Sequence, residues 1–137
     1  MVAGTKDFIK RCHRYRKMYG GGLRQVGILA AAGLHAIDHH RARLADDHAN
    51  ARALAEALAG KPNLEVDLAK VHTNIIMVDV ARGSAATIAA AARDRGVVLS
   101  ANPTLGKTRI RLVTHLDVTR DQVLQAAKVI AEIAAAA

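Results

Sequence analysis

Three consecutive glycines, Gly20–Gly22, impose a break near the start of this 137-residue chain. Glycine is a poor helix former, so the run separates a basic segment from the apolar, helix-periodic segment that follows it. Residues 5–18 are predicted to form a helix capped by Thr5. Residues 23–39 carry apolar side chains at spacings of three and four, which indicates a second helix. The chain must therefore fold from separate helices that meet at a glycine-rich junction.

The remaining sequence alternates between helical and strand patterns. A third helix is predicted to begin near Leu44 and to end at Gly60, and two more are capped by Ser84 and by Thr119. Three segments have the composition and periodicity of strands: 74–80, 97–99 and 107–115. The order α-α-α-β-α-β-β-α predicts a small α/β (α+β) layer structure, in which helices cover a three-stranded sheet.

The length of the chain predicts a single domain over residues 1–137. Within it we expect a basic helix and glycine-rich junction over 1–22, two helices over 23–60, and a small α/β domain over 72–137. Hydrophobic residues make up 51% of the chain but aromatic residues only 2%. Much of the rest is alanine, which buries little surface. We therefore expect a thin core, with helix faces that pack against material outside this chain.

The overall charge and composition narrow the possible partners. A formal net charge of +8 favours anionic ligands, but only two Tyr and one Phe are available to stack on bases, which weighs against nucleic acid. No apolar run approaches the roughly 18 residues of a membrane span. The single cysteine, Cys12, excludes an internal disulfide, and the N-terminus lacks the hydrophobic core of a signal peptide. A cytoplasmic protein without membrane contact is expected.

Arg111 is the strongest candidate for a binding residue. In the predicted strand 107–115, Ile110 and Leu112 occupy one face, so Arg111 projects from the other. A guanidinium held on a rigid strand suits the bidentate recognition of a carboxylate. The alternative is a cation that only protects an edge strand from association.

Lys17 and Arg24 flank the glycine run and form a second candidate site. We expect Arg24 to lie in the first turn of the second helix, where the helix dipole favours an anion. We also expect the glycine backbone to contribute N–H groups, as in other phosphate sites. The alternative is a flexible basic turn without a ligand, and the spacing is not that of a P-loop.

Seven histidines raise the question of a metal site. His35 and His39 are four residues apart, but the set matches no known zinc motif, and no metal ligand is assigned. His48 is interpreted as a core histidine on the apolar stripe of the third helix, and Arg43 and Asp47 as a solvated surface pair. Because no nucleophile elbow, catalytic triad or dinucleotide fingerprint is present, no catalytic residue is assigned either.

Four segments resemble the C-terminal portion of a threonine aldolase, a member of the beta-eliminating lyase and threonine aldolase family. These enzymes belong to the pyridoxal-phosphate-dependent aspartate aminotransferase-like superfamily. The matching segments follow the order of the family and cover nearly the whole chain: 16–34, 43–50, 73–75 and 111–118. The resemblance implies the small C-terminal domain of fold type I.

The resemblance also implies roles for the candidate residues. Arg111 resembles the family arginine that binds the α-carboxylate of the substrate. Lys17 and Arg24 resemble residues that reach from one subunit into a neighbour's active site, near the phosphate of the pyridoxal phosphate cofactor. The implied activity is cleavage of the amino acid threonine to glycine and acetaldehyde, by a homo-oligomer.

Part of the machinery of the family has no counterpart in this sequence. The lysine that binds the cofactor covalently lies upstream in the family, in a large cofactor-binding domain. The side chain that stacks on the cofactor ring and the aspartate that pairs with its pyridine nitrogen lie there too. We therefore expect a fragment, or a chain that needs a complementing N-terminal chain, and no activity alone. Two other classes stay open: a protein-association module without catalysis, and a basic nucleic-acid-binding domain.

Overall fold

A computed structural model describes residues 2–101 and 103–137. It divides into two compact units, one that ends at Arg41 and one that runs from Ala42 to Ala137. The boundary falls inside segment 23–60, which the sequence analysis assigns to two helices of one domain. The single-domain interpretation therefore stays a prediction, and each unit has its own architecture.

The first unit contains two helices, α1 (Lys6–Met18) and α2 (Gly27–His39). The Thr5 hydroxyl caps α1 by accepting a hydrogen bond from the Phe8 amide at 3.4 Å, as the sequence predicts. Helix α2 begins four residues later than predicted. None of the residues of either helix, all of which the structure describes, is buried. The apolar stripe of α2 is therefore exposed.

The second unit contains three helices and three strands. The helices are α3 (Leu44–Leu58), α4 (Ala85–Asp94) and α5 (Arg120–Ala136). The strands are β1 (Leu64–Glu65), β2 (Ile75–Val80) and β3 (Arg109–Val113). Short 3-10 turns span Leu68–Lys70 and Pro103–Leu105. The predicted cap at Ser84 and the capping box of Thr119 with Gln122 are both formed.

The strands form one antiparallel sheet in the order β1-β2-β3. Side chains alternate between its two faces, and Ile76, Val78 and Ile110 are fully buried on the inner face. They pack in one cluster with side chains of the helices, among them Leu58 and Ile130. The outer face of the sheet is exposed. A small α/β layer structure is therefore confirmed, with helices on one side of a three-stranded sheet.

The predicted strand at 97–99 is wrong. These residues have no regular structure, and only the next residue, Ser100, forms an isolated antiparallel bridge with Arg111. The third strand of the sheet is instead β1. It has two residues, too few to show the alternation that identifies a strand in a sequence. The count of three strands was right, but one of them lies elsewhere in the chain.

Within residues 2–101 and 103–137, none of the helices combines the length and the hydropathy that crossing a membrane requires.

Candidate functional site

Three cross-strand pairs line up on the exposed outer face of β2 and β3. The facing pairs are Asp79–Arg109, Met77–Arg111 and Ile75–Val113. Residues directly opposite each other in an antiparallel pair have Cβ atoms about 4.5–5.5 Å apart. The closest cross-strand neighbour of each side chain is therefore its partner in the pair. We call these three pairs the exposed ladder.

Arg109, at one end of the exposed ladder, is held by a carboxylate. Its Nε donates to Asp79 Oδ1 at 2.8 Å, and its Nη2 donates to Asp79 Oδ2 at 2.8 Å. The hydrogen bonding by Arg109 lowers the pKa of Asp79 below its ordinary value of 3.8. The same contact raises the pKa of Arg109. This arginine has a structural use on the sheet surface and is not available to a ligand.

Arg111 lies two residues further along the same face, and its guanidinium is not paired with a carboxylate of the described residues. It projects from the face opposite Ile110 and Leu112, as predicted, and it meets Met77 across the strands. Among the described residues, no carboxylate forms an ion pair with its guanidinium. The side chain is exposed and lines a cleft of about 700 Å³. Such a guanidinium can bind a carboxylate through two parallel hydrogen bonds.

The backbone that carries Arg111 is anchored on both sides. Its own N–H donates to Ser100 O at 2.9 Å. Beyond the end of β3, the buried Thr114 hydroxyl donates to the backbone carbonyl of Asp47 at 2.7 Å. The Thr114 N–H donates to Asn74 O at 3.0 Å, and Asn74 Nδ2 donates back to Thr114 O at 2.8 Å. These bonds fix the position from which the arginine reaches into the cleft.

The cleft also contains two titratable residues that follow β3 in the chain. His115 and Asp117 line it together with Arg111, and segment 97–99 forms part of its wall. The Asp117 N–H donates to His115 Nδ1 at 3.3 Å. Oδ2 of the Asp117 carboxylate lies 3.4 Å from the same nitrogen. The sequence could not show this shared location, because it depends on the path of the chain after β3.

The glycine run is the C-terminal cap of α1 and not a backbone nest for an anion. Gly20 has a φ of +78°, which glycine adopts without strain. Its N–H donates to Lys17 O at 3.3 Å, and the Gly21 N–H donates to Arg16 O at 2.8 Å. This is the Schellman arrangement of a helix end. Because both N–H groups are used inside the chain, the prediction that they bind a phosphate is wrong.

Lys17 and Arg24 are exposed, and neither forms an ion pair within the part of the chain that the structure describes. A Cβ on Gly22 would lie 2.9 Å from Lys17 Cδ and 3.6 Å from its Nζ. The lysine side chain therefore lies over Gly22, and a Cβ at this position would displace it. Arg24 precedes Gly27, the first residue of α2, so the prediction that it belongs to the first helical turn is wrong. The two free cations still fit an anion with the charge of a phosphate.

Two interpretations of α3 also need correction. His48 is exposed and is not a core residue, whereas Asp47 is only 3% exposed. The Asp47 carboxylate accepts hydrogen bonds from the Arg43 guanidinium at 3.0 and 2.6 Å, so this is a partly buried ion pair and not a solvated one. The later part of the predicted stripe is buried, at Ala51, Leu54 and Leu58, whereas Leu44 and His48 at its start are exposed.

The histidines of α2 contact one another. The rings of His35 and His39 have centroids 4.4 Å apart, and those of His35 and His40 are 5.3 Å apart. Across residues 2–101 and 103–137, no group of three or more His, Cys, Asp or Glu side chains is arranged to hold a metal ion.

Comparisons with known proteins identify relatives of the chain. The model of the family "Beta-eliminating lyase" matches residues 1–82. The low specificity L-threonine aldolase of Escherichia coli (strain K12) is 42% identical over 127 residues, which are 93% of this chain and 36% of the relative. The probable low-specificity L-threonine aldolase 2 of Arabidopsis thaliana is 41% identical over 118 residues, 84% of this chain and 32% of the relative. The chain spans about a third of the length of these curated relatives.

A solved structure shares the fold. The structure of MppP soaked with the product 2-ketoarginine aligns with a TM-score of 0.57 at 17% identity, over 73% of this chain and 30% of that one. The resemblance seen in the sequence is confirmed by the family match and by the relatives. The chain belongs to the beta-eliminating lyase family, and within it resembles the C-terminal portion of a threonine aldolase.

Proposed function

We propose that this chain is a segment of a pyridoxal-phosphate-dependent threonine aldolase, which cleaves threonine to glycine and acetaldehyde. The similarity to threonine aldolases supports the reaction, and Arg111 carries the proposal for the site. It is the arginine of the exposed ladder that no carboxylate engages, and it points into a cleft. In this proposal its guanidinium binds the α-carboxylate of the substrate.

The chain's contribution to the reaction is binding and orientation. Pyridoxal phosphate, when bound in the complete enzyme, withdraws electrons from the substrate so that its Cα–Cβ bond can break. Two hydrogen bonds from Arg111 to the carboxylate would fix the orientation of the substituents on Cα. This orientation sets the direction of the Cα–Cβ bond. Lys17 and Arg24 hold the phosphate group of the cofactor, and in the family they do so from a neighbouring subunit. No residue of this chain is proposed to move a proton.

The proposal for Arg111 is tested in a hybrid enzyme. This chain replaces the matching 127 residues of the Escherichia coli relative, and kcat and KM for threonine are measured. Arg111→Lys keeps the positive charge but loses the bidentate geometry, so we expect kcat/KM to fall about 10- to 100-fold, mainly through KM.

The matched control is Arg109→Lys, the same substitution two residues away on the same face. It leaves a cation beside Asp79, and we expect kcat/KM to stay within about twofold of the parent hybrid. Equal losses in the two variants would mean that Arg111 has no special role in binding the substrate.

The 137-residue chain alone is expected to lack aldolase activity, because the family's cofactor lysine lies upstream of the matching segment. The check is incubation with pyridoxal phosphate, reduction with borohydride and mass spectrometry. We expect no stoichiometric labelling, while the Escherichia coli relative, treated in parallel, is labelled on one lysine. Specific, complete labelling of one lysine of this chain would contradict the proposal.

Assembly with other chains is the second function that an observation favours. Helix α2 exposes large apolar side chains, with Ile28 at 78% and Leu34 at 62%. Exposed apolar patches of this kind mark interaction surfaces. We propose that α2 is covered in the assembled protein, a homo-oligomer or a complex with an N-terminal chain, in the cytoplasm. A pure association module without catalysis would use the same surface.

A further inference from the structure

We infer that Met77 is a positioning residue for Arg111: an uncharged side chain directly opposite the guanidinium keeps it free for the carboxylate of a ligand. The inference rests on the proposed function, because it concerns the same arginine. It adds a residue to the site that no sequence motif marks.

The exposed ladder contains the comparison that supports this inference. Arg109 and Arg111 have the same side chain, lie on the same strand and face the same way. They differ in the residue opposite them on β2, which is Asp79 for Arg109 and Met77 for Arg111, and Arg111 also forms a bridge with Ser100 on its other side. Arg109, opposite a carboxylate, donates from Nε and Nη2 to both of its oxygens at 2.8 Å, whereas among the described residues no carboxylate forms an ion pair with Arg111, opposite methionine. The facing residue therefore decides which guanidinium a ligand can reach.

No other acid in the exposed ladder competes for Arg111. Asp79 is the diagonal neighbour of Arg111, and diagonal neighbours in such a sheet lie about 7–8 Å apart. Both carboxylate oxygens of Asp79 already accept hydrogen bonds from Arg109. The remaining ladder residues around Arg111 are apolar: Ile75, Met77 and Val113 are 40%, 41% and 42% exposed. None of these three neighbours carries a charge that could pair with the guanidinium.

A carboxylate at position 77 is expected to act as an internal competitor. An exposed ion pair is worth up to about 1 kcal/mol, which corresponds to roughly fivefold occupancy over the unpaired state. The added negative charge also repels an incoming anion. Met77→Asp should therefore weaken carboxylate binding at Arg111 about fivefold or more. Met77→Asn introduces a side chain with nearly the shape of aspartate but without its charge. It should change carboxylate binding at Arg111 less than twofold.

The experiment uses the 137-residue chain with uniform 15N labelling. The exchange of each arginine Nε–H with water is measured by NMR, with the Nε–H of Arg109 as the internal standard for a paired guanidinium. In the parent chain we expect slow exchange for Arg109 and fast exchange for Arg111. In Met77→Asp the Arg111 exchange should slow to the range of Arg109, and in Met77→Asn it should stay fast. Met77→Glu repeats the test should the aspartate variant not fold.

Sodium acetate, titrated at constant ionic strength against sodium chloride, provides the binding measurement. The change in the chemical shift of the Arg111 Nε–H signal over the first additions of acetate should be about five times smaller in Met77→Asp than in the parent. Should the parent show no response to acetate while Met77→Asp still slows the exchange, the carboxylate site is wrong and the positioning inference holds. Fast exchange of Arg111 in both acidic variants, with an unchanged Arg109 signal, overturns the inference.

Discussion

At the scale of single residues, Asp79 shows how a neighbour sets the charge state of a carboxyl group. Its two hydrogen bonds from Arg109 lower its pKa below the ordinary 3.8. A carboxyl whose pKa is depressed by folding stabilises the folded state above its unfolded pKa, and this contribution is lost as the pH falls through the folded value. The pair is about one-third to one-half exposed, so the effect is small.

Asp79→Asn should therefore reduce the change in the free energy of unfolding between neutral and acidic pH. Urea midpoints of the parent chain and the variant are compared at pH 6 and at pH 2.5. We expect a measurable destabilisation of the variant at pH 6 and a smaller difference between the midpoints at pH 2.5, because the contribution of a carboxyl with a lowered pKa is lost as the pH falls. Asp46→Asn is the control, since this exposed aspartate forms no ion pair among the described residues. A difference between parent and Asp79→Asn that persists unchanged at pH 2.5 would exclude the ion pair as its cause.

At the scale of elements, one buried hydrogen bond joins α3 to the end of β3. The Thr114 hydroxyl, in a residue 1% exposed, donates to the backbone carbonyl of Asp47 at 2.7 Å. The Asp47 carboxylate is in turn held by Arg43. The helix and the strand are therefore connected through polar groups at a point where burial makes an unpaired group costly. The join lies three residues from Arg111, so it helps to hold the strand that carries the proposed site.

Thr114→Val should weaken this join without changing the shape of the side chain much. We expect the free energy of unfolding, measured by urea denaturation, to fall by about 1 kcal/mol, the usual net value of one internal hydrogen bond. Thr108→Val, at an exposed residue just before β3, serves as the control and should stay within about 0.5 kcal/mol of the parent. Equal stability of parent and Thr114→Val would show that the hydroxyl does not hold the two elements together.

At the scale of the whole molecule, burial is concentrated in the second unit. The core cluster draws only on residues from Ala51 to Ala134, whereas α1 and α2 bury none of their described residues. Isolated helices of 13 residues are marginal in water. We expect the first unit to gain stability from contacts with other chains, which is the assembly proposed above.

The exposed face of α2 should make the isolated chain self-associate. By light scattering at micromolar concentration we expect a mass above the 14.5 kDa of one chain, and little change on adding salt, because the contact is apolar. Leu34→Ser with Ile37→Ser should shift the protein toward monomer. Val98→Ser, at an exposed apolar residue of the second unit, should not. A salt-independent monomer of the parent chain would remove the basis for assembly through α2.

Local signals in the sequence predicted much of the fold. The caps at Thr5, Ser84 and Thr119 form as expected, because each needs only a hydrogen bond to an amide three residues away. The alternation around Arg111 also gave the correct face, since neighbouring side chains of a strand always point to opposite sides. The prediction of a strand at 97–99 is wrong, and β1 has no prediction. A strand exists only with a partner strand, which lies far away in the chain.

The sequence by itself determined where most helices begin and end, which face of β3 carries Arg111, and the family to which the chain belongs. These depend on spacing over a few residues or on identity to relatives. Only the tertiary structure decided that Arg109 pairs with a carboxylate and that Arg111 pairs with none in the described part of the chain, because the register between β2 and β3 sets an aspartate opposite one and a methionine opposite the other. It also assigned the N–H groups of Gly20 and Gly21 to the end of α1. Which groups form hydrogen bonds with each other depends on their positions in the folded structure. The spacing of residues along the chain does not show this.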